Sequence, residues 1–262
     1  MTHNPLSGVR GLLFDLDGTI YVGKQALPGV IEAVEKLRSK SIPMRFTTNT
    51  TTLSLKSLEV KLKNIGLSVD PAEIFGTIRA TIEYLRSIGS PTCHLLLTDD
   101  PKRDFAEFTE SESPEVLLIG DIGKHWNYEI MNDLFRMVMN GAEMVALQKG
   151  RYWRTEEGLF VDVGAFVAGL EYVTGKTATV VGKPSKSFFE LALADLGLPA
   201  SQVAMVGDDI INDVGGAQAV GMKGTLVRTG KYRQDDPGRT GVAPDLIIDS
   251  VANLPELVSH SD

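Results

Sequence analysis

The chain has 262 residues with a formal net charge of −8, and 43% of the residues are hydrophobic and 23% charged. That length suits one large domain or two modest ones without disulfides, and the single cysteine, Cys93, fits a reducing compartment. The absence of a basic stripe argues against nucleic-acid binding. Residues 1–11 show no signal-peptide pattern and no apolar run is long enough to span a membrane, so we expect a soluble, cytoplasmic protein.

Apolar strands alternate with amphipathic helices at both ends of the chain, which is typical of a parallel sheet wrapped by helices. Continuous apolar runs predict strands, and runs with apolar residues three and four apart predict helices. The predicted strands are residues 8–17, 43–50, 177–184, 202–209, 223–230 and 244–249. The predicted helices are residues 28–41, 53–67, 70–89, 185–197 and 211–221.

The middle of the chain has a different composition. Residues 81–178 contain both tryptophans and more turn residues than the flanking segments. They also contain strand-like runs at 94–97, 116–120 and 144–148 and a helical pattern at 127–142. We therefore predict an α/β protein with a Rossmann-like parallel-sheet core, formed by residues 1–80 and 179–262, and a second α/β domain inserted at 81–178.

The stretch FDLDGTIYVGKQ places two aspartates, Asp15 and Asp17, at the end of the first predicted strand. A phosphate loop is excluded because Gln25 stands where Ser or Thr should hold magnesium, and a calcium loop because Ala26 stands where a bidentate Glu belongs. Side chains two residues apart on an extended strand point the same way, so both carboxylates can face one pocket at the carboxyl edge of the sheet. Their mutual repulsion favours a bound divalent cation.

Other predicted strand ends carry groups that complement this pair. The acidic ones are Asp208, Asp209 and Asp213, and the hydroxyl, amide and ammonium groups belong to Thr48, Asn49 and Lys183. A ligand set made only of oxygens suits Mg²⁺, whereas the second group suits the oxygens of a phosphate. We expect four strand ends of one parallel sheet to bring these side chains together.

These motifs resemble those of the haloacid dehalogenase (HAD) superfamily of phosphotransferases. The matching stretches are DLDGT at 15–19, Thr48 in TTN, Lys183 in GKP and GDDIIND at 207–213. The insertion resembles the large α/β cap of the NagD-like, type IIA branch, and the similarity extends over nearly the whole chain. One departure lies at residues 160–166, FVDVGAF, where such relatives usually carry Gly-Pro-Gly.

The resemblance implies a two-step mechanism in which Asp15 is the nucleophile and Asp17 is first the general acid and then the general base. It implies Mg²⁺ bound by Asp15, Asp208 and the backbone carbonyl of Asp17, with Thr48 and Lys183 on the phosphate oxygens. Supporting roles fall to Asn49 beside the phosphate, to Asp209 and Asp213 around the metal and Lys183, to Gly18 in the turn after the nucleophile, and to Asp162 as a cap residue close to the substrate.

We therefore expect a phosphoric monoester hydrolase that acts on small phosphorylated metabolites, phosphoamino acids or pyrophosphate. Two alternatives stay open at this point. One is a phosphomutase with the same nucleophile, and the other is a catalytically retired fold that only binds. The sequence names neither the physiological substrate nor the oligomeric state, for which a homodimer is one option.

Overall fold

The structure is a computed structural model and describes residues 4–155 and 158–258. Contacts divide the chain into two compact units. The first unit comprises Met1–Thr48, Glu59–Phe75 and Lys183–Asp262, and the second comprises Asn49–Leu58 and Gly76–Gly182. The functional cap boundaries at residues 81 and 178, which rest on composition and resemblance, stay a prediction.

Strands and helices alternate along most of the described chain. The strands are β1 (Gly11–Asp15), β2 (Tyr21–Val22), β3 (Gln25–Ala26), β4 (Met44–Thr47), β5 (Cys93–Leu96), β6 (Val116–Ile119), β7 (Glu143–Ala146), β8 (Tyr152–Thr155), β9 (Gly158–Val161), β10 (Thr179–Val180), β11 (Val203–Gly207), β12 (Lys223–Val227) and β13 (Leu246–Ile248). The α-helices are α1 (Val30–Ser39), α2 (Leu55–Asn64), α3 (Thr77–Ser87), α4 (Asp99–Lys102), α5 (Tyr128–Met139), α6 (Gly164–Thr174), α7 (Lys186–Leu196), α8 (Gly216–Gln218) and α9 (Asp236–Thr240). None of these helices is long and apolar enough to cross a lipid bilayer.

A five-stranded parallel sheet forms the centre of the first unit, in the order β13-β12-β11-β1-β4. β1 and β11 are buried along their whole length, as expected for central strands covered on both faces. The register pairs Phe14 with Phe46 and Asp15 with Thr47. Because all five strands run parallel, the carboxyl ends of β1, β4 and β11 meet at one edge of the sheet.

Helix α7 fixes the chain just after Lys183. Ser185 caps the helix, with its Oγ accepting a hydrogen bond from Phe188 N at 3.2 Å. The helix buries Phe188 and Phe189 and ends at Gly197, whose φ of 73° is the left-handed conformation that glycine adopts readily. Lys183 therefore lies two residues before the N-cap of a well-anchored helix.

The second unit has its own four-stranded parallel sheet, in the order β10-β7-β6-β5. Helices α5 and α6 pack with this sheet around a cluster that includes Leu117, Leu134 and Val167. Trp126 and Phe166 stack on each other with ring centres 4.1 Å apart beside the same cluster. The predicted α/β class and the parallel-sheet core are confirmed.

The predicted strand at 177–184 differs from the observed one in length and in partner. Only β10 is extended, and it pairs with β7 in the sheet of the second unit, with Val180 opposite Ala146. The prediction that Lys183 follows a strand of the same sheet as Asp15 is therefore wrong. Pro184 follows Lys183 and has no N–H for a strand ladder, so the chain leaves the second sheet and enters α7.

Two predicted helices also differ from the observed elements. The helix predicted at 70–89 begins at Thr77, because the preceding residues form a capped 3₁₀ turn and an extended segment in which Phe75 N donates to Phe46 O at 2.9 Å. The helix predicted at 211–221 is replaced by a π-helical turn at Ile210–Gly215, followed by the short α8. Such wide turns are frequent at functional sites.

Candidate active site

A buried lysine joins two of the predicted carboxylates. Lys183 Nζ donates to Asp15 Oδ1 at 2.6 Å and to Asp213 Oδ1 at 2.7 Å. The same ammonium lies 3.3 Å from Thr47 Oγ1, whose hydroxyl donates to Phe14 O. Only 2% of the Lys183 side chain is exposed, and a charge at this depth is normally found paired.

Three acidic side chains converge around this lysine. Asp15, Asp208 and Asp213 each offer a carboxylate oxygen, and the three oxygens lie within 4.8 Å of one another. Asp15 ends β1 and Asp208 directly follows β11, so the parallel pairing of these strands brings the two carboxylates together. All three side chains are buried, and a buried cluster of like charges is unfavourable unless positive charge balances it.

The shifted pKa values of these groups reflect the excess of buried negative charge. Burial raises the pKa of Asp15 to about 7; the charge of Lys183 lowers it and that of Asp213 raises it. Burial, together with the charges of Asp15 and Asp213, raises the pKa of Asp208 to about 8. For Lys183, burial favours the neutral amine, but Asp15 and Asp213 outweigh it and raise the pKa above its ordinary value. Lys183 thus stays charged and does not neutralise the whole cluster.

Two glycine turns enclose the Asp208 carboxylate. Lys231 N donates to Asp208 Oδ2 at 2.6 Å, and Thr229 Oγ1 donates to Gly18 O at 2.5 Å, which links the two turns. Gly18 and Gly230 have φ values of +87° and +54°, and a Cβ on them would lie 2.1 and 1.9 Å from Asp208 Oδ2. Both positions therefore need glycine, for its positive φ and for the space that it leaves.

Asp213 lies in the π-helical turn, and each of its two carboxylate oxygens has a hydrogen-bond donor. Asp209 caps the turn by accepting hydrogen bonds from two of its backbone amides, and Lys231 Nζ lies 3.2 Å from Asp209 Oδ2. Asp209 N donates to Asp213 Oδ2 at 3.1 Å, while Asp213 Oδ1 contacts Lys183. Asp213 is thus in place to orient Lys183, and Asp209 stabilises the turn that carries Asp213.

Asp17 lies in a more open environment than Asp15. Its side chain is 54% exposed, against 11% for Asp15. The Tyr21 hydroxyl donates to Asp17 Oδ2 at 2.8 Å, and Lys61 Nζ lies 3.0 Å from Tyr21 Oη and 3.7 Å from Asp17 Oδ1. Burial, reinforced by the charge of Asp17, raises the pKa of the Tyr21 phenol above its ordinary value, so its hydroxyl remains a donor.

The other predicted site residues are Thr48, Asn49 and Asp162. Thr48 directly follows β4 and is buried, whereas Asn49 and Asp162 belong to the second unit. Asp162 Oδ1 accepts hydrogen bonds from Gln148 Nε2 and from Val163 N, both at 2.7 Å. The substrate-binding roles of Thr48, Asn49 and Asp162 stay predictions.

Sequence reasoning missed several residues that contact the predicted ones, among them Thr47, Lys231, Tyr21 and Lys61. Thr47 ends β4 and Lys231 lies in the loop four residues after β12, so the same attention to strand ends could have identified them. Tyr21 and Lys61 give no comparable signal. Tyr21 reads as a buried residue of a short hairpin, and Lys61 as one of several lysines on a solvated helix face.

The carboxylate cluster fits a divalent cation. Asp15 and Asp208 offer oxygen ligands of the kind that Mg²⁺ prefers. Their raised pKa values indicate negative charge that such an ion would offset. Asp213 is less suited to bind a metal directly, because Lys183 and Asp209 N already contact its two oxygens.

Comparison with known proteins identifies the family. Residues 12–109 match the family model of haloacid dehalogenase-like hydrolases, and residues 180–254 match a HAD-hydrolase-like model. The chain is 38% identical over 252 residues to haloacid dehalogenase-like hydrolase domain-containing protein 2 of Bos taurus, which covers 96% of this chain and 95% of the relative. It is also 38% identical over 264 residues to phospholysine phosphohistidine inorganic pyrophosphate phosphatase of Rattus norvegicus, which covers 98% and 97%. The chain belongs to the haloacid dehalogenase-like hydrolase family.

Solved structures share the fold over almost the entire chain. The 4-nitrophenylphosphatase of Thermotoga maritima matches with a TM-score of 0.90 at 27% identity, covering 97% of this chain and 99% of that one. NagD of E. coli matches with a TM-score of 0.85 at 24% identity, covering 93% and 97%. The predicted resemblance to the NagD-like branch is confirmed, and the chain is a hydrolase of that fold.

The raised pKa values predict how the metal-free protein responds to pH. The unfolded chain releases these protons near the ordinary carboxyl pKa of 3.8, but the folded protein keeps them until about 7 at Asp15 and about 8 at Asp208. This contribution to the stability of the fold is therefore fully present below about pH 3.8, and it is lost as the pH rises through the folded-state pKa values of about 7 and about 8. In EDTA, we expect Asp208→Asn to melt close to wild type at about pH 4 and progressively further above it as the pH rises to about 9.

Thermal melts of the two proteins check this prediction. Asp121→Asn is the control, because Asp121 also follows a parallel strand, β6, but lies in the second unit. With rising pH, the melts of Asp208→Asn should depart from wild type far more than those of Asp121→Asn. A difference between Asp208→Asn and wild type that is independent of pH would contradict the charge imbalance at the site.

Proposed function

We propose that the protein is a Mg²⁺-dependent phosphatase that hydrolyses small phosphorylated molecules through an aspartyl phosphate on Asp15. The buried network in which Lys183 contacts Asp15 and Asp213 beside Asp208 is the observation that supports it most. That network combines a carboxylate nucleophile, an ammonium for phosphoryl oxygens and a metal-ligand pair. The names of the Rattus norvegicus and Thermotoga maritima phosphatases support the same reaction class.

In the proposed first step, an oxygen of Asp15 attacks phosphorus and the bond from phosphorus to the leaving oxygen breaks. Asp17 gives its proton to that oxygen, which is typically worth ~10²–10⁴ in rate. Lys183 and Thr48 donate hydrogen bonds to the phosphoryl oxygens. The covalent intermediate divides one difficult displacement into two easier ones.

In the proposed second step, Asp17 takes a proton from water and the water attacks the phosphorus of the aspartyl phosphate. The bond to Asp15 breaks, the Asp15 carboxylate is restored and inorganic phosphate leaves. Asp17 has to meet a leaving group first and a water molecule later, and its exposed side chain suits both tasks. The buried side chain of Asp15 suits a nucleophile, which forms its covalent bond at one fixed position.

Asp15 and Asp208 are the side chains that would hold Mg²⁺, together with the backbone carbonyl of Asp17 implied by the family resemblance. The bound ion supplies positive charge that neutralises phosphoryl oxygens and favours the ionised form of Asp15. Lys183 contributes a second positive charge beside Asp15. Both charges reduce the repulsion between a carboxylate nucleophile and an anionic phosphate.

The alternatives make different predictions about products. A phosphomutase would pass the phosphoryl group to a second acceptor and show little net release of phosphate. A retired binding fold would gain stability by replacing its buried charges, whereas this chain retains them. Phosphate release from sugar phosphates, nucleotides, phosphoamino acids and pyrophosphate, measured with and without Mg²⁺, separates the three; a homodimer stays a prediction.

Asp15→Asn should abolish turnover, because an amide is a poor nucleophile and a weaker metal ligand. The fold should persist, since Lys183 keeps Asp213 as a charged partner. We expect activity below about a thousandth of wild type in a phosphate-release assay. Asp121→Asn, at a similar strand end in the second unit, should keep wild-type activity, and an active Asp15→Asn protein would exclude Asp15 as the nucleophile.

Mg²⁺ should be required for phosphate release, and Ca²⁺ should not replace it. Calcium prefers more ligands and a looser geometry, so it suits a site built around two buried carboxylates less well. EDTA-treated protein should be inactive, Mg²⁺ should restore activity, and Asp208→Asn should need a higher Mg²⁺ concentration for the same rate. Full activity in the metal-free protein would refute the proposed metal site.

Asp17→Asn should separate the two proton transfers. An unactivated alkoxide leaves poorly without a proton, whereas p-nitrophenolate leaves well without one. With p-nitrophenyl phosphate, the variant should still phosphorylate Asp15 and then stall, because no base activates the water. We expect a burst of nitrophenolate that approaches one equivalent, followed by very slow turnover.

Mass spectrometry of the acid-quenched variant should show one phosphoryl group on the peptide that contains Asp15. A folded, Mg²⁺-binding Asp17→Asn protein that gives neither burst nor adduct would disprove the proposed division of work between Asp15 and Asp17.

A further inference from the structure

Tyr21 and Lys61 contact the proposed acid and base without any part in the reaction described so far. The Tyr21 hydroxyl donates to Asp17 Oδ2 at 2.8 Å, and Lys61 Nζ donates to Tyr21 Oη at 3.0 Å. The Lys61 ammonium also lies 4.1 Å from the centre of the Tyr21 ring. Since an ammonium has only donors, Tyr21 Oη accepts from Lys61 and its own proton is directed at Asp17.

The backbone holds the Tyr21 hydroxyl at a fixed distance from Asp17. The Tyr21 side chain is completely buried. Tyr21 N donates to Leu16 O at 3.2 Å, and Gly18 N donates to Tyr21 O at 2.7 Å. Leu16 and Gly18 flank Asp17 in the sequence, so the phenol and the carboxylate belong to one closed turn.

Asp17 needs a constraint of this kind more than Asp15 does. Lys183 holds the buried Asp15 carboxylate directly, whereas the Asp17 side chain is half exposed and little constrained by packing. An exposed side chain that must stay in one rotamer loses conformational entropy unless a contact compensates for it. A displacement of about 1 Å at a reacting group lowers the rate by up to about 10²-fold.

We infer that Tyr21 and Lys61 are positioning residues: Lys61 orients the Tyr21 hydroxyl, which holds Asp17 Oδ2 so that Asp17 Oδ1 exchanges the proton with the leaving oxygen and then with water. Lys61 Nζ lies 3.7 Å from Asp17 Oδ1, which is too far for a hydrogen bond. Lys61 therefore does not occupy the oxygen that exchanges the proton. The inference rests on the proposed function, because it concerns only the steps in which Asp17 moves a proton.

A merely structural role for Tyr21 would not discriminate between leaving groups. Removing the Tyr21 hydroxyl should slow phosphorylation of Asp15 only when the leaving group needs a proton. Phenyl phosphate and p-nitrophenyl phosphate are suitable probes, because their leaving groups are similar in size and differ in basicity. Hydrolysis of the aspartyl phosphate should slow equally after both substrates, since the intermediate is the same.

Rapid-quench kinetics with Tyr21→Phe and Lys61→Met test the inference. For Tyr21→Phe we expect the phosphorylation rate to fall about tenfold with phenyl phosphate and less than about twofold with p-nitrophenyl phosphate, with KM changed by less than about twofold. Lys61→Met should show the same pattern to a smaller extent. The double variant should lose less than the product of the two single effects, because the residues act as one unit.

Conservative and neighbouring variants serve as controls. Lys61→Arg should keep more than about half of the wild-type rate because the cation is retained, and Lys63→Met, on the exposed face of α2, should behave as wild type. If the phosphorylation of Asp15 slows equally with both substrates, or slows with neither, the inference is overturned. If Tyr21→Phe is destabilised in thermal melts, Lys61→Met decides by the same rates, because its side chain is partly exposed.

Asp17→Asn distinguishes this inference from the proposed function. If Asp17→Asn hydrolyses phenyl phosphate at the wild-type rate, the proposed role of Asp17 fails, and the inference fails with it. If Asp17→Asn is inactive toward phenyl phosphate while Tyr21→Phe and Lys61→Met match wild type, only the positioning role is wrong.

Discussion

The buried ammonium of Lys183 is the contact on which the rest of the site depends. It lies between Asp15 and Asp213, and Asp208 adds a third carboxylate beside them. Three carboxylates against one ammonium leave two negative charges, which is the charge that one divalent cation offsets. Removing Lys183 would leave these carboxylates without their buried counter-charge, and breaking a buried pair in this way typically destabilises a protein by about 3–5 kcal/mol. The glycines around Asp208 leave room for its carboxylate, and the π-helical turn places Asp209 N against Asp213.

Asp15 and Asp17 are two residues apart, yet the structure constrains them by different means. Asp15 is held by charge and burial, and these same conditions raise its pKa. Asp17 is half exposed and is held by a neutral hydroxyl from its own turn. This difference matches the chemistry proposed for each residue. A nucleophile bonds to one atom in a fixed place, whereas an acid and base must reach a leaving group and then a water molecule.

Much of the site could be predicted from sequence because parallel strands bring their carboxyl ends to one edge. Asp15 and Asp208 follow directly from that rule, since β1 and β11 are continuous apolar runs that end at these residues. Lys183 was identified correctly as a neighbour but for the wrong reason, because the strand before it belongs to the second sheet. Tyr21 and Lys61 could not be found in this way, since their contacts depend on the closing of a short turn and on the rotation of α2. The π-helical form of the turn at Ile210–Gly215 could likewise not be predicted from the sequence, because a π-helical turn and an α-helix share the same residue preferences at this length.

Stability and reactivity at this site are governed by the same charge imbalance. A carboxyl with a pKa of about 7 carries its proton for much of the time near neutral pH, and a protonated carboxyl is a poor nucleophile. Lys183 already favours the ionised form of Asp15, but burial and Asp213 oppose it. Added positive charge beside Asp15 and Asp208 would therefore do two things at once: it would stabilise the folded protein at alkaline pH and would ionise the nucleophile. A substitution that removes one of these carboxylates also stabilises the folded protein at alkaline pH, but it does not produce an ionised nucleophile beside a bound cation. We therefore expect the most stable variants at this cluster to be the least active.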